Sequence, residues 1–390
     1  MAQERAPCLQ DSAQARQSSR LDLCERVLRI YSPSGEEREL VELLKEELEG
    51  KGLEPRIDNA GNLICEVGSG VPSLLFCPHL DTVPGKLPVR REGTLLYGRG
   101  ACDAKGALLS MLFAFEDLAS EWQSSPTPKG HLIFAAVVEE EKESGGLNQL
   151  IKDEIKADGA IFGEPCGLTK ITTGYRGHVP VTFEIATQGG HASAPWLSAN
   201  AAEVAYSLYE LIKKNLVQEN KETKNGLEAI SVTITEINSG TAHNVVPSAA
   251  KMCLDIRIPF GMQAHDVARK VEELSREDSK SKNYELTITF AQLTEPYKTS
   301  MDSKIVRAVN RAMLKLGYKT SFTTKSGTGD MNTYALTLGV DALTYGPGES
   351  KLSHTDHEVV DYNEILACSQ VLVNSQKEFF ALAQQKQIEG

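Results

Sequence analysis

The stretch CPHLDTVPG, from Cys77 to Gly85, follows a short apolar run that begins at Leu74. We interpret that run as a buried strand, so His79 lies at its carboxyl end, the edge of an open α/β sheet where ligands collect. His79 can bind a metal through one ring nitrogen while Asp81 orients the ring. The alternative is a structural histidine that ends a buried strand, and the remaining motifs decide between the two interpretations.

Four further motifs supply acidic residues and histidines. They are GRGACDAKG (98–106), VVEEEKESGG (137–146), GEP (163–165) and YGPGESKLSHTDHE (345–358). Two divalent ions that share a bridging carboxylate need about four further protein ligands, and zinc accepts histidine nitrogen and carboxylate oxygen. The chain offers five such side chains on strand ends and loops: His79, Asp103, Glu141, Glu164 and His354. The pattern therefore predicts a two-metal site.

Composition excludes several classes of protein. The net charge of -12 argues against nucleic-acid binding, which needs clustered lysine and arginine. The eight cysteines include no C-x-x-C pair, which indicates reduced thiols in a cytoplasmic protein and no disulfide framework. No run of about eighteen apolar residues is present, so we expect no membrane span.

The order of predicted elements divides the 390 residues into two domains. Strands alternate with helices over 21–177 and again over 295–390, which predicts an α/β catalytic domain with a mostly parallel sheet and helices on both faces. Between these parts, 178–294 gives the order β-α-β-β-α-β of a ferredoxin-like domain, inserted as a lid or dimerisation domain. The polar leader, 1–20, is predicted to be disordered.

Ser34 and Glu37 match the S-x-x-E pattern of a capping box. An apolar stripe at helical spacing follows them, formed by Leu40, Val41, Leu43, Leu44 and Leu48. We therefore predict a helix that is capped by Ser34 and ends before Gly50.

Taken in order, the motifs HLDTVPG, GRGACDAKG, EEE, GEP, GGHAS, AHNVVP, DIR and YGPG…H resemble the co-catalytic zinc metallopeptidase family. That family includes aminoacylases, succinyl-diaminopimelate desuccinylases and bacterial glutamate carboxypeptidases, and the resemblance runs from about Ser32 to the C-terminus. It implies two Zn²⁺, with Co²⁺ as a possible substitute, and a cis peptide after the bridging aspartate. The implied ligands are His79 with Glu164 for one zinc, Glu141 with His354 for the other, and Asp103 as the bridge.

The same resemblance implies that Glu140 is the general base, which takes a proton from the metal-bridging water and returns it to the leaving amine. Asp81 would orient His79. The family usually shows Asp-Glu-Glu where this chain has Glu139 to Glu141, so a register shifted by one residue stays open as an alternative.

Two histidines compete for the C-terminal ligand position. Glu358 lies four residues past His354, which fits the family spacing, and we take His354 as the ligand. His357, three residues after His354, is the alternative.

The inserted region carries its own polar residues. His191 in GGHASAP and Asn244 in AHNVVP are capping residues of turns in one interpretation and substrate-binding residues in the other. In relatives the corresponding histidine stabilises the oxyanion, often in the partner subunit's site, which implies a homodimer through the inserted domain. Arg257 in DIR would bind a substrate carboxylate through its planar fork, and its alternative is a surface salt bridge on an edge strand.

Within the family, GEPCGLTKITTGYRG (163–177), KSGTGDMN (325–332) and YGPGESKLSH (345–354) resemble the acetyl-lysine deacetylases that release lysine or ornithine from an amino-group carrier protein. We therefore expect a dinuclear zinc amide hydrolase of amino-acid biosynthesis that acts on an N-acyl or carrier-linked amino acid. A dipeptidase, carboxypeptidase or general aminoacylase is the alternative within the family. A non-catalytic interaction module is disfavoured because the ligand set is complete.

A lysine or ornithine product has an ammonium group, so its site needs an anion beyond the metal ligands. Asp330 in KSGTGDMN, or Glu349, would supply it. The alternative for Asp330 is to cap the helix that starts near Asn332.

Overall fold

The computed structural model describes residues 9–124, 130–217 and 226–388. The helices are α1 (Leu9–Arg29), α2 (Arg38–Gly50), α3 (Lys105–Gln123), α4 (Gly145–Lys152), α5 (Ala201–Leu216), α6 (Ala264–Lys282), α7 (Lys304–Lys315), α8 (Asp330–Leu338) and α9 (Tyr362–Ile388). The strands are β1 (Arg56–Ile57), β2 (Leu63–Gly68), β3 (Ser73–Pro78), β4 (Arg90–Glu92), β5 (Leu95–Tyr97), β6 (His131–Ala136), β7 (Gly159–Gly163), β8 (Lys170–Tyr175), β9 (Gly177–Ala186), β10 (Gly190–His191), β11 (Ser231–Ser239), β12 (Val245–Val246), β13 (Ala249–Ile258), β14 (Glu285–Phe290), β15 (Tyr297–Lys298), β16 (Ser321–Lys325), β17 (Ala342–Tyr345) and β18 (Val359–Asp361).

The described residues form two compact units. The first comprises the described residues within Met1–Thr173, Thr299–Thr323 and Tyr334–Gly390, and the second comprises those within Gly174–Lys298 and Thr324–Thr333. The second unit thus extends four residues beyond each limit of the expected 178–294 domain. It also includes a ten-residue segment that the sequence had assigned to the catalytic domain.

The first unit is built on a sheet with the strand order β1-β2-β6-β3-β7-β17-β8. The pairs at its centre, β6 with β3, β3 with β7 and β7 with β17, are parallel. All six residues of β3 are buried, because an apolar strand between two parallel neighbours is covered on both faces. Helix α3 packs against β2, β3, β6 and β7, and α7 packs against β7 and β17. The predicted α/β class with a mostly parallel central sheet is confirmed.

Helix α1 corrects the prediction for the N-terminal leader. The helix begins at Leu9, and the side chains of Arg16 and Arg20 both donate to Asp117 on α3. Partners on a neighbouring helix hold this polar segment in place, so the predicted disorder is wrong for residues 9–20. The rest of that prediction, over 1–8, lies outside the described residues.

The second unit contains a four-stranded antiparallel sheet with the order β11-β13-β9-β14. Its elements follow one another as β9, α5, β11, β13, α6 and β14, which is the β-α-β-β-α-β order. Alternate residues of β9 are buried beneath α5 and α6, because successive side chains of a strand point to opposite faces. A short ladder of β10 with β12 pairs His191 with Val245.

A search of the helices in the part of the chain that the structure describes finds none with the length and apolar character needed to cross a membrane.

Candidate metal centre

Three of the candidate motifs follow neighbouring parallel strands. His79 comes directly after β3, Glu164 directly after β7, and the acidic run that contains Glu141 follows β6. Parallel strands end at the same edge of a sheet, so these side chains converge there. The apolar run that begins at Leu74 therefore forms the buried strand that the sequence predicted, and His79 lies at the edge that these strands share.

Six side chains of the first unit form two groups that could each hold a metal ion. One group is His79, Glu140 and Glu164, and the other is Asp103, Glu141 and His354; the possible ligand atoms within each group lie within 4.8 Å of one another. All five sequence-predicted ligands and the predicted base are thus brought together.

Asp103 belongs to the second group and also contacts His79 of the first. One of its carboxylate oxygens is 3.3 Å from Nε2 of His79, and the other is 3.5 Å from Nε2 of His354. A carboxylate that faces one histidine with each oxygen has the geometry that a bridging ligand needs. The peptide bond between Asp103 and Ala104 is cis, as the resemblance implied.

The donor set suits a pair of divalent cations. Four carboxylates, those of Asp103, Glu140, Glu141 and Glu164, converge with two imidazoles at one place. Their mutual repulsion is relieved by bound cations, and nitrogen and carboxylate oxygen are ligands that zinc accepts. The residues present therefore fit the expected metals.

Asp81 ties His79 to the acidic turn. The backbone oxygen of Asp81 lies 3.0 Å from Nδ1 of His79, which directs Nε2 of the ring towards Asp103. The two oxygens of its buried carboxylate accept the backbone N–H groups of Glu140 and Glu141 at 3.1 and 3.0 Å. Burial acts to raise the pKa of the Asp81 carboxyl, but the hydrogen bond and charge of His79, with the hydrogen bonds from Ser34 and the Glu141 N–H, together outweigh it and the pKa is lowered. One residue thus orients a ligand through its backbone oxygen and positions both glutamates through its carboxylate.

Glu140 and Glu141 of the acidic run lie in different groups. Glu141 Oε1 lies 2.9 Å from His354 Nε2, whereas Glu140 is grouped with His79 and Glu164. Glu139 is in neither metal group. This placement fits Glu141 as a ligand and Glu140 as the residue beside the other metal position.

His354, and not His357, lies beside the metal-site carboxylates. Its backbone has a φ of 63°, an uncommon value for a residue other than glycine, and its ring contacts Glu141 and Asp103. His357 is exposed and belongs to neither metal group found among the described residues.

Glu358 is a site residue that the sequence indicated only through its spacing. Its fully buried carboxylate accepts the backbone N–H groups of Gly100, Cys102 and Asp103 at 2.9, 3.2 and 3.3 Å. Arg99 donates to its other oxygen at 2.6 Å. Glu358 therefore connects the loop that carries Asp103 to the segment that carries His354.

The predicted capping box is wrong. Helix α2 begins only at Arg38, and Ser34 donates to the carboxylate of Asp81 at 2.7 Å. Glu37 accepts the backbone N–H of Gly35 and that of Glu139 at 3.0 Å. Both residues support the turns around the metal site, because the buried Asp81 and the N–H of Glu139 need these partners more than the exposed helix end does.

Four predicted substrate-binding residues lie in the second unit. The β10–β12 ladder brings His191 close to Asn244, whose backbone oxygen accepts the N–H of Ala192 at 3.0 Å. The His191 ring is exposed, and its Nδ1 lies 2.8 Å from the hydroxyl of Ser193. The fourth residue, Asp330, is buried and is the first residue of α8.

Arg257 forms a bidentate ion pair on its own strand. Its Nε and Nη2 donate to the two carboxylate oxygens of Asp255, each at 2.8 Å. His178 lies 3.0 Å from the same carboxylate. Burial acts to raise the pKa of Asp255, but His178 and Arg257 outweigh it and hold the pKa well below its usual range. A salt bridge is therefore present, as in the alternative, but the edge strand expected for it is wrong, because β13 lies between β11 and β9.

Comparison with protein-family models decides the family. Residues 75–377 match the model of peptidase family M20/M25/M40. The chain belongs to this family.

Named relatives agree with this M20 assignment. A LysW-lysine/LysW-ornithine hydrolase of Sulfurisphaera tokodaii is 31% identical over 92% of this chain and 94% of its own length. A second relative, named putative LysW-lysine/LysW-ornithine hydrolase, comes from Pyrobaculum aerophilum. It is 36% identical over 90% of this chain and 95% of its own length. This M20 protein is accordingly a metal-dependent hydrolase of amide bonds.

Solved structures show the same fold. A tripeptidase from Staphylococcus aureus gives a TM-score of 0.80 at 21% identity and covers 93% of this chain and 98% of its own. An M20 metallo-carboxypeptidase from Sulfolobus solfataricus gives a TM-score of 0.77 at 21% identity, with 93% and 99% covered.

Proposed function

We propose that this M20 protein is a two-zinc hydrolase that releases lysine or ornithine from an N-acyl or carrier-protein-linked precursor in amino-acid biosynthesis. The observation that carries the two-metal chemistry is the position of Asp103, with one oxygen towards His79 and the other towards His354. The substrate class is supported by relatives named for lysine and ornithine carried on LysW, which match nine tenths of this chain.

The proposed ligands divide as two pairs and a bridge. His79 and Glu164 would hold one zinc, Glu141 and His354 the other, and Asp103 both. Zinc bound there supplies positive charge, which polarises an amide carbonyl and lowers the pKa of a water molecule.

Glu140 is the proposed general base. Its carboxylate accepts a proton from the attacking water and later donates it to the leaving amine nitrogen. The carboxylate of Asp81 accepts the backbone N–H of Glu140 and its backbone oxygen bonds His79, so the base and a metal ligand are fixed by one buried residue. This connection supports a base that is placed before substrate arrives.

Recognition of the released amino acid is assigned to residues of the second unit. Arg257 would give up its Nη2 hydrogen bond to Asp255 and bind the substrate carboxylate instead. Asp330 would bind the substrate ammonium. His191 would stabilise the oxyanion from a neighbouring subunit of a homodimer, with Asn244 beside it.

A substrate panel tests the proposal. Zinc- or cobalt-loaded protein is assayed with acyl derivatives of lysine, ornithine and norleucine on the α-amine, with dipeptides, and with a carrier-linked lysine. We expect rapid hydrolysis of the lysine and ornithine compounds and slow hydrolysis of the norleucine compounds, because norleucine lacks the terminal ammonium. Equal rates for lysine and norleucine compounds, or a preference for dipeptides, would assign the protein to the general aminoacylases or dipeptidases.

A further inference from the structure

A cavity of about 370 Å³ lies in the first unit among helices α1, α2 and α3. Its lining includes Arg16, Arg20, Lys51, Phe113 and Glu116, and none of these belongs to the metal groups. Glu116 lies eleven residues beyond the start of α3 at Lys105, which corresponds to about 16 Å along the helix. The cavity is therefore separate from the metal site at the other end of α3.

The other charged groups of the cavity lining have close ion-pair partners, whereas Glu116 lies 3.8 Å from Arg20. Arg16 and Arg20 both donate to Asp117, and Lys51 lies 3.2 Å from Glu47. The Arg20 guanidinium also stacks over the ring of Phe113, 4.5 Å from its centroid. None of these contacts gives Glu116 a donor within hydrogen-bond distance.

Glu116 is the exception. Its side chain is only 7% exposed, and Oε1 has no hydrogen-bond partner among the residues that the structure describes. Its other oxygen lies 3.8 Å from Arg20, beyond hydrogen-bond distance. A buried carboxylate oxygen without a donor is costly, so this atom favours a ligand that brings one.

The rest of the lining indicates the chemistry of that ligand. Lys51 and Arg16, whose side chains are 47% and 56% exposed, stand at the rim and can pair with a carboxylate. Leu23, Phe113 and Ala119 give an apolar wall against which methylene groups can pack. The volume falls within the range of about 300 to 1,000 Å³ that is usual for small-molecule sites.

We propose that this cavity binds a small zwitterionic amino acid, with its ammonium on Glu116 and its carboxylate facing Lys51 and Arg16. The proposal goes beyond the hydrolase reaction and does not depend on it, because no residue of the metal site takes part.

Protonation of Glu116 gives the proposal a specific signature. Burial raises the pKa of its carboxyl to about 7. The charged groups that face it are Arg16 and Arg20 on α1, and Glu47 and Lys51 at the end of α2. An ammonium bound to the ionised carboxylate therefore displaces a proton at pH 6, and a smaller fraction of one at pH 8.

Three related molecules test the site in the full zinc-loaded protein by titration calorimetry. L-norleucine carries both charges, n-pentylamine lacks the carboxylate, and hexanoate lacks the ammonium. We expect norleucine to bind best, pentylamine less well and hexanoate least. Norleucine binding at pH 6 in buffers of different ionisation enthalpy should show release of close to one proton.

Variants separate this cavity from the metal site. Glu116→Gln should weaken norleucine binding by about tenfold or more, because it removes a charge-assisted hydrogen bond. Glu121→Gln, on the same helix but exposed and paired with Lys377, is the matched control and should leave binding unchanged. Lys51→Gln, at the exposed rim, should weaken norleucine but not pentylamine.

The proposal is overturned if norleucine shows no binding at millimolar concentration. It is equally overturned if Glu116→Gln and Lys51→Gln both bind norleucine as the unmodified protein does, since the ligand would then occupy another site. Circular dichroism and zinc content establish that each variant is folded before its binding is compared.

Discussion

Asp103 supports a specific expectation about metal content. Because its two oxygens face His79 and His354, replacing it by alanine leaves two cations opposite each other without their shared anion. We expect Asp103→Ala to lose both metals and all measurable hydrolysis, as measured by elemental analysis and assay. Asp356→Ala is a suitable control, since that side chain lies in the nearby segment and is 86% exposed. Retention of two metal equivalents by Asp103→Ala would contradict the bridging role.

Glu140 and Glu141 are adjacent in sequence but lie in different groups, so their amide variants should differ in kind. Glu140→Gln keeps the shape of the side chain but cannot accept a proton, and we expect the turnover rate to fall by about 10² to 10⁴ with both metals retained. Glu141→Gln should lower the zinc content instead. Exchanged phenotypes would show that the motif register is shifted by one residue.

Glu358 should matter for stability as well as for metal affinity. Glu358→Gln weakens its contacts with three backbone N–H groups and leaves Arg99 buried without its charge partner. We expect a loss of about 3 kcal/mol in unfolding free energy by urea denaturation, together with weaker zinc binding. Glu349→Gln, at a largely exposed carboxylate, should change neither quantity. An unchanged unfolding free energy in Glu358→Gln would contradict a structural role for this carboxylate.

At the residue scale, sequence reasoning succeeded where a motif ends a strand and failed where a local pattern had two meanings. Ser34 and Glu37 match a helix cap in sequence, but the buried carboxylate of Asp81 and the N–H of Glu139 are partners that no local pattern reveals. The pairing of Arg257 with Asp255 was foreseeable, because residues two apart on a strand share a face.

At the scale of elements, helices α1 and α3 are held together by charged side chains. The amino-acid composition does not show which of these charged groups form pairs. Asp117 on α3 holds Arg16 and Arg20 of α1, and this contact converts a polar N-terminal segment into an ordered helix. A polar sequence without an apolar stripe predicted disorder because its partner lies about a hundred residues away. The apolar pattern of β3, by contrast, needs no distant partner to be read correctly.

The same pair of helices predicts a pH dependence of stability. Burial raises the pKa of Glu116 from its ordinary value near 4.5 to about 7, so the folded state binds this proton more tightly than the unfolded state. The contribution to stability is therefore full below about pH 4.5 and is lost as the pH rises to about 7. We therefore expect the unfolding free energy of Glu116→Gln, relative to that of the unmodified protein, to increase by roughly 2 kcal/mol as the pH rises from about 5 to about 8. Urea denaturation at each pH measures this difference. A constant difference across this range, with Glu121→Gln as control, would contradict the shift.

At the scale of the whole molecule, the chain separates metal chemistry from the other polar motifs. The metal groups lie in the first unit, while His191, Asn244, Arg257 and Asp330 lie in the second. The sequence predicted the order β-α-β-β-α-β of the inserted region because strands and helices leave different periodic patterns of apolar residues. It missed the ten residues 324–333 of the second unit because a short loop segment carries no such period.

A mixing experiment tests whether the two units cooperate between subunits. If His191 acts in the site of a partner, each site of a His191→Ala homodimer lacks the histidine from the other subunit. Each site of a Glu140→Gln homodimer lacks the base. Both homodimers should therefore be nearly inactive. Subunits exchanged between the two variants form mixed dimers in which the intact metal site of one chain meets the intact His191 of the other. Random exchange puts half of the dimers in the mixed form with one complete site each, so about a quarter of the unmodified activity should return. Sedimentation confirms that exchange has occurred, and no recovery in exchanged dimers would place His191 in its own subunit's site or outside catalysis.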